Sequence, residues 1–177
     1  MPGHSQRVAE FSLRCGVVLG LTPQALKQLY WGGALHDLGK LTLSRELLGK
    51  PGPLSQAEWQ LVRQHPTWGC EAVSVMLDDP QLARTVLTHH ERWDGAGYPG
   101  GLKAHEIPLH GRIVAVADTF DALTSRRCYR EAVTTPEALA ILGAEGGKQF
   151  DPELLATVLS SGTLNRDRPG NAYPEVG

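Results

Sequence analysis

The chain is short of cysteine. Cys15, Cys70 and Cys128 stand far apart and odd in number along 177 residues. They form no CxxC pair, which excludes a thiolate zinc or dithiol redox motif and leaves no basis for a disulfide framework. Positive charge is not in excess either. Lys and Arg total 17 against 19 Asp and Glu, a net charge of -2, so the phosphate-backbone footprint of a DNA- or RNA-binding domain is missing. No apolar run approaches the roughly 20 residues that cross a bilayer. No charged segment leading into an apolar stretch marks a secretory signal. These absences predict a cytoplasmic chain without membrane or nucleic-acid partners. Strand signals are weak as well, because alternation never persists and β-branched runs are short.

What is present is helical punctuation. Thr22-Pro23, Asp79-Pro80, Thr135-Pro136 and Asp151-Pro152 each set a capping side chain before a proline shaped for the first helical turn. Each precedes apolar residues at helical spacing, such as Leu26, Leu29 and Tyr30, or Leu155, Val158 and Leu159. Ser55-Gln56-Ala57-Glu58 reads as a capping box. Further helices are expected over His4–Val18 and from about His110 to Leu123. The fold class is therefore all-α, a bundle of about seven or eight helices in one domain, 1–164, with a polar tail over 165–177. Two segments break the pattern. Leu43 to Leu54 is a turn-rich connection, and Glu91 to Pro108 is a long glycine-rich loop that Trp93, Tyr98 and Ile107 predict to be ordered.

The chemistry concentrates in histidines and carboxylates. His36-Asp37 ends the second helix, His65 stands before Pro66, and His89-His90 leads into the glycine-rich loop. Asp118 lies in an apolar helix, where a carboxylate must be exposed, paired or metal-bound. Each feature alone has a plain explanation: a common dipeptide, a partner for a helix C-terminus, a salt bridge to Arg112 or Arg126. His4 near the terminus reads as a surface residue, and His105 and His110 as loop residues. Together these side chains offer imidazoles and carboxylates without thiolates, a set suited to Mn, Fe, Zn or Ni.

At this point the sequence resembles a known family, the HD-GYP branch of the HD-domain metal-dependent phosphohydrolases. The resemblance runs from His4 to Leu159. It is carried by His4-x-x-Arg7-Val8, Leu35-His36-Asp37-Leu38-Gly39-Lys40, Lys50-Pro51-Gly52 and His65-Pro66. It continues through His89-His90-Glu91-Arg92-Trp93-Asp94-Gly95-Ala96-Gly97-Tyr98-Pro99, the Arg112 to Ala122 helix, Arg127-Cys128-Tyr129-Arg130 and Phe150-Asp151-Pro152.

The resemblance implies an HD helical bundle with an ordered GYP loop and metal ligands His4, His36, Asp37, His65, His89, His90 and Asp118. Asp37 would bridge two divalent ions, Fe or Mn first and Zn or Ni as alternatives. Members often carry a glutamate one turn upstream of the first histidine; none stands here, so two ions are expected instead of three. The usual substrate is cyclic di-GMP, opened by metal-activated water to linear pGpG and onward to GMP. Lys40 would neutralise phosphate charge during catalysis, and Lys40, Tyr98, Asp121, Arg127 and Arg130 would contact substrate. Asp121 could also orient Lys40 or an arginine. Ser44 stands where relatives commonly have proline. Regulation would come from a partner protein or an upstream sensor domain, and exposed helix faces would suit a homodimer. Alternatives are another cyclic dinucleotide or nucleotide as substrate, or a cyclic di-GMP-binding module without catalysis.

Overall fold

The longest helix is apolar on nearly every side, and a helix with no polar face must be surrounded. In the computed structural model, which describes residues 3–126 and 131–165, that helix is the centre of the molecule. Arg127, Arg130 and residues 166–177 lie outside the described residues. The helices are α1 His4–Val18, α2 Pro23–Leu35, α3 Arg45–Leu48, α4 Gln56–Val62, α5 His65–Leu77, α6 Pro80–Thr88, α7 Leu109–Thr124, α8 Thr135–Ala144 and α9 Pro152–Ser161. Short 3-10 helices occupy Leu38–Thr42 and Ala104–Glu106. One isolated β-bridge, Gly146 to Phe150, is the only strand-like pairing among the described residues.

Around α7 pack α1, α2, α6 and α8. Phe11 of α1 meets Phe120 of α7 edge to face, with ring centroids 4.9 Å apart, within the geometry aromatic pairs prefer. Val8, Cys15, Leu29, Ile113, Val116 and Val158 fill the same core. A smaller apolar cluster of Val73, Leu82, Ala83 and Val86 joins α5 to α6, with Leu35 and Leu38 packed against it. The apolar core thus lies on both sides of the helix ends that carry the histidines.

The helix starts follow the caps closely. Thr22, Asp79 and Asp151 accept backbone N–H groups as expected, and Ser55 with Glu58 closes a reciprocal box. At the eighth helix the cap is Thr134, not Thr135: Glu137 stands three residues beyond Thr134 and completes a capping box there. Ser44 caps α3, a single turn inside the expected connection, by accepting from Leu47 N at 3.2 Å. The helix α5 was not marked in the sequence, because its N-cap, Gln64, makes no side-chain cap hydrogen bond.

One glycine sets the site. A Cβ on Gly39 would run into the carbonyl of His65 and the backbone of Gly69. The bare α-carbon lets the Leu38–Thr42 turn lie directly against the first turn of α5, and so brings Asp37 beside His65.

A candidate metal centre

Every ligand predicted within the described residues sits at a helix end or on α7. His4 opens α1, His36 caps the end of α2 with Asp37 next to it, His65 opens α5, and His89 caps the end of α6, followed by His90. Asp118 points in from α7, partly exposed. Helix ends suit this task, because the backbone turns away there and a side chain can project into shared space. Five imidazole rings form one contiguous group, with centroids of successive neighbours between 4.1 and 5.3 Å apart.

Asp37 stands between two halves of this group. Its Oδ1 faces His65 Nε2 at 3.4 Å. Its Oδ2 faces His36 Nε2 at 3.6 Å and His4 Nε2 at 3.8 Å. Asp118 Oδ1 lies 3.4 Å from His4 Nε2 and 3.8 Å from His36 Nε2. Two sets of potential ligands result: Asp37, His65, His89 and His90, and His4, His36 and Asp37, the latter with Asp118 alongside.

The ring tautomers are fixed by acceptors behind the rings. Nδ1 of His36, His65 and His89 each donates to the carbonyl of the residue three positions earlier, Gly33, Val62 and Val86, all at 2.7 Å. A carbonyl only accepts, so Nδ1 carries the proton and Nε2 of the neutral ring presents a lone pair. His4 Nδ1 is 2.8 Å from Asp121 Oδ2, an acceptor of the same effect. Burial holds the His89 pKa well below the usual imidazole value, and neighbouring histidines add to this. Burial, with His65 and Lys40, brings His90 down to about 3. Both rings are therefore neutral at pH 7. Burial works against the Asp37 carboxylate, but the groups around it, the Lys40 ammonium among them, outweigh burial and hold Asp37 ionised below the usual carboxylate range.

Divalent cations fit this donor set. His36 Nε2 and Asp37 Oδ1 are buried with no hydrogen-bond partner, a condition that costs free energy unless something satisfies them. His65 Nε2 and His89 Nε2 face each other at 3.3 Å, although both rings have committed their protons to carbonyls. Two opposed lone pairs repel, and a cation relieves them.

The remaining expected residues are placed as follows. Lys40 sits on the 3-10 turn, not on a continued α2, and its Nζ donates to Asp37 Oδ2 at 2.8 Å. Tyr98 is half-buried and stacks on His90 with centroids 4.8 Å apart, its N–H donating to the His90 carbonyl. Asp121 does not face the substrate space. It is 1% exposed and accepts from Arg7 at 2.6 and 2.9 Å as well as meeting His4, so it orients Arg7 and the His4 ring. His110 belongs to the first turn of α7 and is buried, apart from the cluster.

Three functional side chains escaped the sequence reading. Arg7 supports Asp121, at 114 residues' separation. Glu91, 3% exposed, accepts from Gly100 N at 2.6 Å and Leu102 N at 3.0 Å, and so folds the glycine-rich loop back onto the end of α6. Gly97 fits there because a Cβ would strike the Glu91 and Arg92 backbone. Arg63, at the end of α4, lies 4.5 Å from the Tyr98 ring centroid. Glu91→Gln should place an amide against a backbone N–H and raise exchange of the Gly100 and Leu102 amides about tenfold or more. Metal content should stay intact; hydrogen-exchange mass spectrometry with elemental analysis checks both.

A cavity of about 360 Å³ opens directly on the cluster. His89, His90 and Asp118 line its inner side, and Trp59, Arg63, Arg92, Tyr98 and Gln149 its outer side. Cationic and aromatic groups thus surround the approach to the histidines.

The chain is similar to several known proteins. A family model described as an HD domain matches residues 1–154. The chain is 40% identical over 159 residues to a cyclic di-GMP phosphodiesterase of Thermotoga maritima, covering 88% of this chain and 43% of that protein. It is 43% identical over 143 residues to the cyclic di-GMP phosphodiesterase response regulator RpfG of Xanthomonas campestris, covering 80% and 38%. It is 37% identical over 158 residues to a 3'3'-cGAMP-specific phosphodiesterase of Vibrio cholerae, covering 88% and 30%. The chain therefore spans less than half the length of these curated relatives. Among solved structures, a cyclic GMP-AMP-specific phosphodiesterase of V. cholerae superposes with a TM-score of 0.71 at 22% identity, over 94% of this chain and 47% of that one. The HD domain of the L. monocytogenes phosphodiesterase PgpH does so with a TM-score of 0.62 at 15% identity, over 91% and 88%. At such identities the structures bear on the fold alone. No described helix is long and apolar enough to cross a membrane.

Proposed function

The chain belongs to the HD-domain family, in its HD-GYP branch, and from that premise we propose that it is a metal-dependent phosphodiesterase that opens cyclic di-GMP to linear pGpG. The observation that carries this reading is the pair of donor sets sharing Asp37, with His89, His90 and Asp118 reaching the inner side of a cavity whose outer side carries Arg63 and Arg92. His4, His36, Asp37 and Asp118 would hold one ion, and Asp37, His65, His89 and His90 the other. Imidazole and carboxylate without thiolate suit Fe, Mn, Zn or Ni, and the family resemblance puts Fe or Mn first. Bound there, two ions would supply Lewis acidity toward phosphoryl oxygens and a water acidic enough to attack at neutral pH.

The chain's own residues do the rest. Carbonyls behind His36, His65 and His89 keep the Nε2 lone pairs aimed at the centre. Lys40, held on Asp37, keeps a positive charge at the edge where phosphate charge must be balanced. Tyr98, fixed against His90, offers its ring to a base or sugar and its hydroxyl to a phosphate.

The test is turnover of cyclic di-GMP by protein reconstituted anaerobically with Fe(II) or Mn(II), with products separated by chromatography. pGpG is the expected product, with Asp37→Ala as the blank. Several relatives are named as 3'3'-cGAMP-specific, so cyclic GMP-AMP belongs in a parallel reaction, and a preference for it would change the substrate and keep the chemistry. Tight binding of either nucleotide with no product from metal-loaded protein would overturn the catalytic reading in favour of a sensor.

A further inference from the structure

The metal centre accounts for one phosphodiester, and a cyclic dinucleotide has two. The second carries a full negative charge across the macrocycle and needs its own partner, since an ion taken out of water without one is costly. The first cavity has a neighbour of about 360 Å³ lined by Gln60, Arg63, Gln64, Gly97, Tyr98 and Pro99. Arg63 and Tyr98 line both, so this cation–aromatic pair forms the partition between them.

Arg63 has an aromatic partner in place of an acidic one. Arg7, Arg92, Arg112 and Arg126 each pair with a carboxylate. Among the described residues no carboxylate pairs with Arg63, whose contact is the Tyr98 ring. A ring face holds a guanidinium in place without neutralising it. The result is an oriented, uncompensated fork at the mouth of the metal cavity, one turn from Trp59, which is half exposed on the same cavity.

We propose that Arg63 is the receptor for the phosphate that is not being cleaved, with the two cavities on either side of it receiving the two nucleoside halves. This rests on the cyclic-dinucleotide reading above and deepens it. A planar guanidinium can take two non-bridging phosphate oxygens at once. A mononucleotide has nothing to place there once its only phosphate lies at the metal centre.

The experiment uses the full chain loaded with Mn(II), and its Arg63→Gln and Arg63→Lys variants. Binding of labelled cyclic di-GMP and labelled GMP is read by rapid filtration on ice, alongside KM and kcat for cyclic di-GMP. Arg63 is exposed at a helix end, and manganese content with thermal melting reports on integrity. Arg63→Gln should weaken cyclic di-GMP binding about 10- to 100-fold, the range for hydrogen bonds to a charged group. The loss should appear in KM, with GMP binding unmoved, Arg63→Lys partly restored and the salt dependence of binding reduced. Unchanged cyclic di-GMP binding in Arg63→Gln would overturn the assignment, as would an equal loss for GMP. A parent that binds without hydrolysis, and whose Gln variant binds less, would remove the catalytic reading and keep Arg63 in its role. A parent that binds no cyclic di-GMP would remove both.

Discussion

Asp37→Ala is expected to deplete the centre of metal and lower cyclic di-GMP turnover by about 1,000-fold or more, at least the loss seen when one well-placed electrostatic group is removed from an active site. The size follows from position. Oδ1 faces the His65 side and Oδ2 the His4 and His36 side, so one truncation takes an anionic donor from both ligand sets. What remains is five imidazoles and Asp118, and neutral rings alone bind a hard divalent ion less tightly than rings with a shared carboxylate. Lys40 also loses its 2.8 Å partner and is left as an unopposed charge beside the cluster. Elemental analysis after gel filtration, with product assay on the same sample, decides the matter. Full metal content in the variant would mean that Asp37 is not the shared ligand.

The second large effect belongs to Asp121, which lies behind the centre. Asp121→Asn should lower metal affinity about 10- to 100-fold, the usual effect of altering a group that orients a ligand histidine. Asn can still turn its carbonyl oxygen toward His4, but it carries no charge for Arg7. Breaking a buried pair on one side costs about 3 kcal/mol or more, read by urea unfolding of the metal-free protein. Burial raises the Asp121 pKa, yet the hydrogen bonds from His4 and Arg7 outweigh it and hold the folded value below the ordinary one. The unfolded carboxyl titrates near 3.9, so the stability this group contributes is fully present above about pH 5 and declines as pH falls through the folded value. Parent and variant should therefore converge in stability toward strong acid. A constant difference at every pH would remove Asp121's charge from the account.

Much of this was legible along the chain, and the reason is local. The His4–Val18 helix follows from its own apolar spacing, and the caps at Thr22, Asp79 and Asp151 satisfy N–H groups two or three residues away. The clustered histidines were picked out because they stand within short motifs. What was hidden depends on distance. Nothing near Arg7 announces Asp121, and nothing near Arg63 announces Tyr98, 35 positions later. Each arginine read alone is an ordinary solvated cation, so the reading that Asp121 orients Lys40 or an arginine could not point to Arg7. The single turn α3 and the start of α5 escaped because one is shorter than a helical period can reveal and the other has no capping side chain. The Thr134 cap, by contrast, was available in the Thr134 to Glu137 spacing.

The carbonyls behind His36, His65 and His89 have a consequence for how such a centre can change over generations. Three of its rings take their proton placement from main-chain carbonyls, which every residue supplies, proline included. Substitution of Gly33, Val62 or Val86 can alter packing but cannot erase the acceptor. His4 depends on a side chain, Asp121, for the same service. Mutational drift can therefore retune the end of the centre near α1 while the opposite end holds its chemistry, so that gain or loss of activity within a lineage would be written first at His4, Arg7 and Asp121.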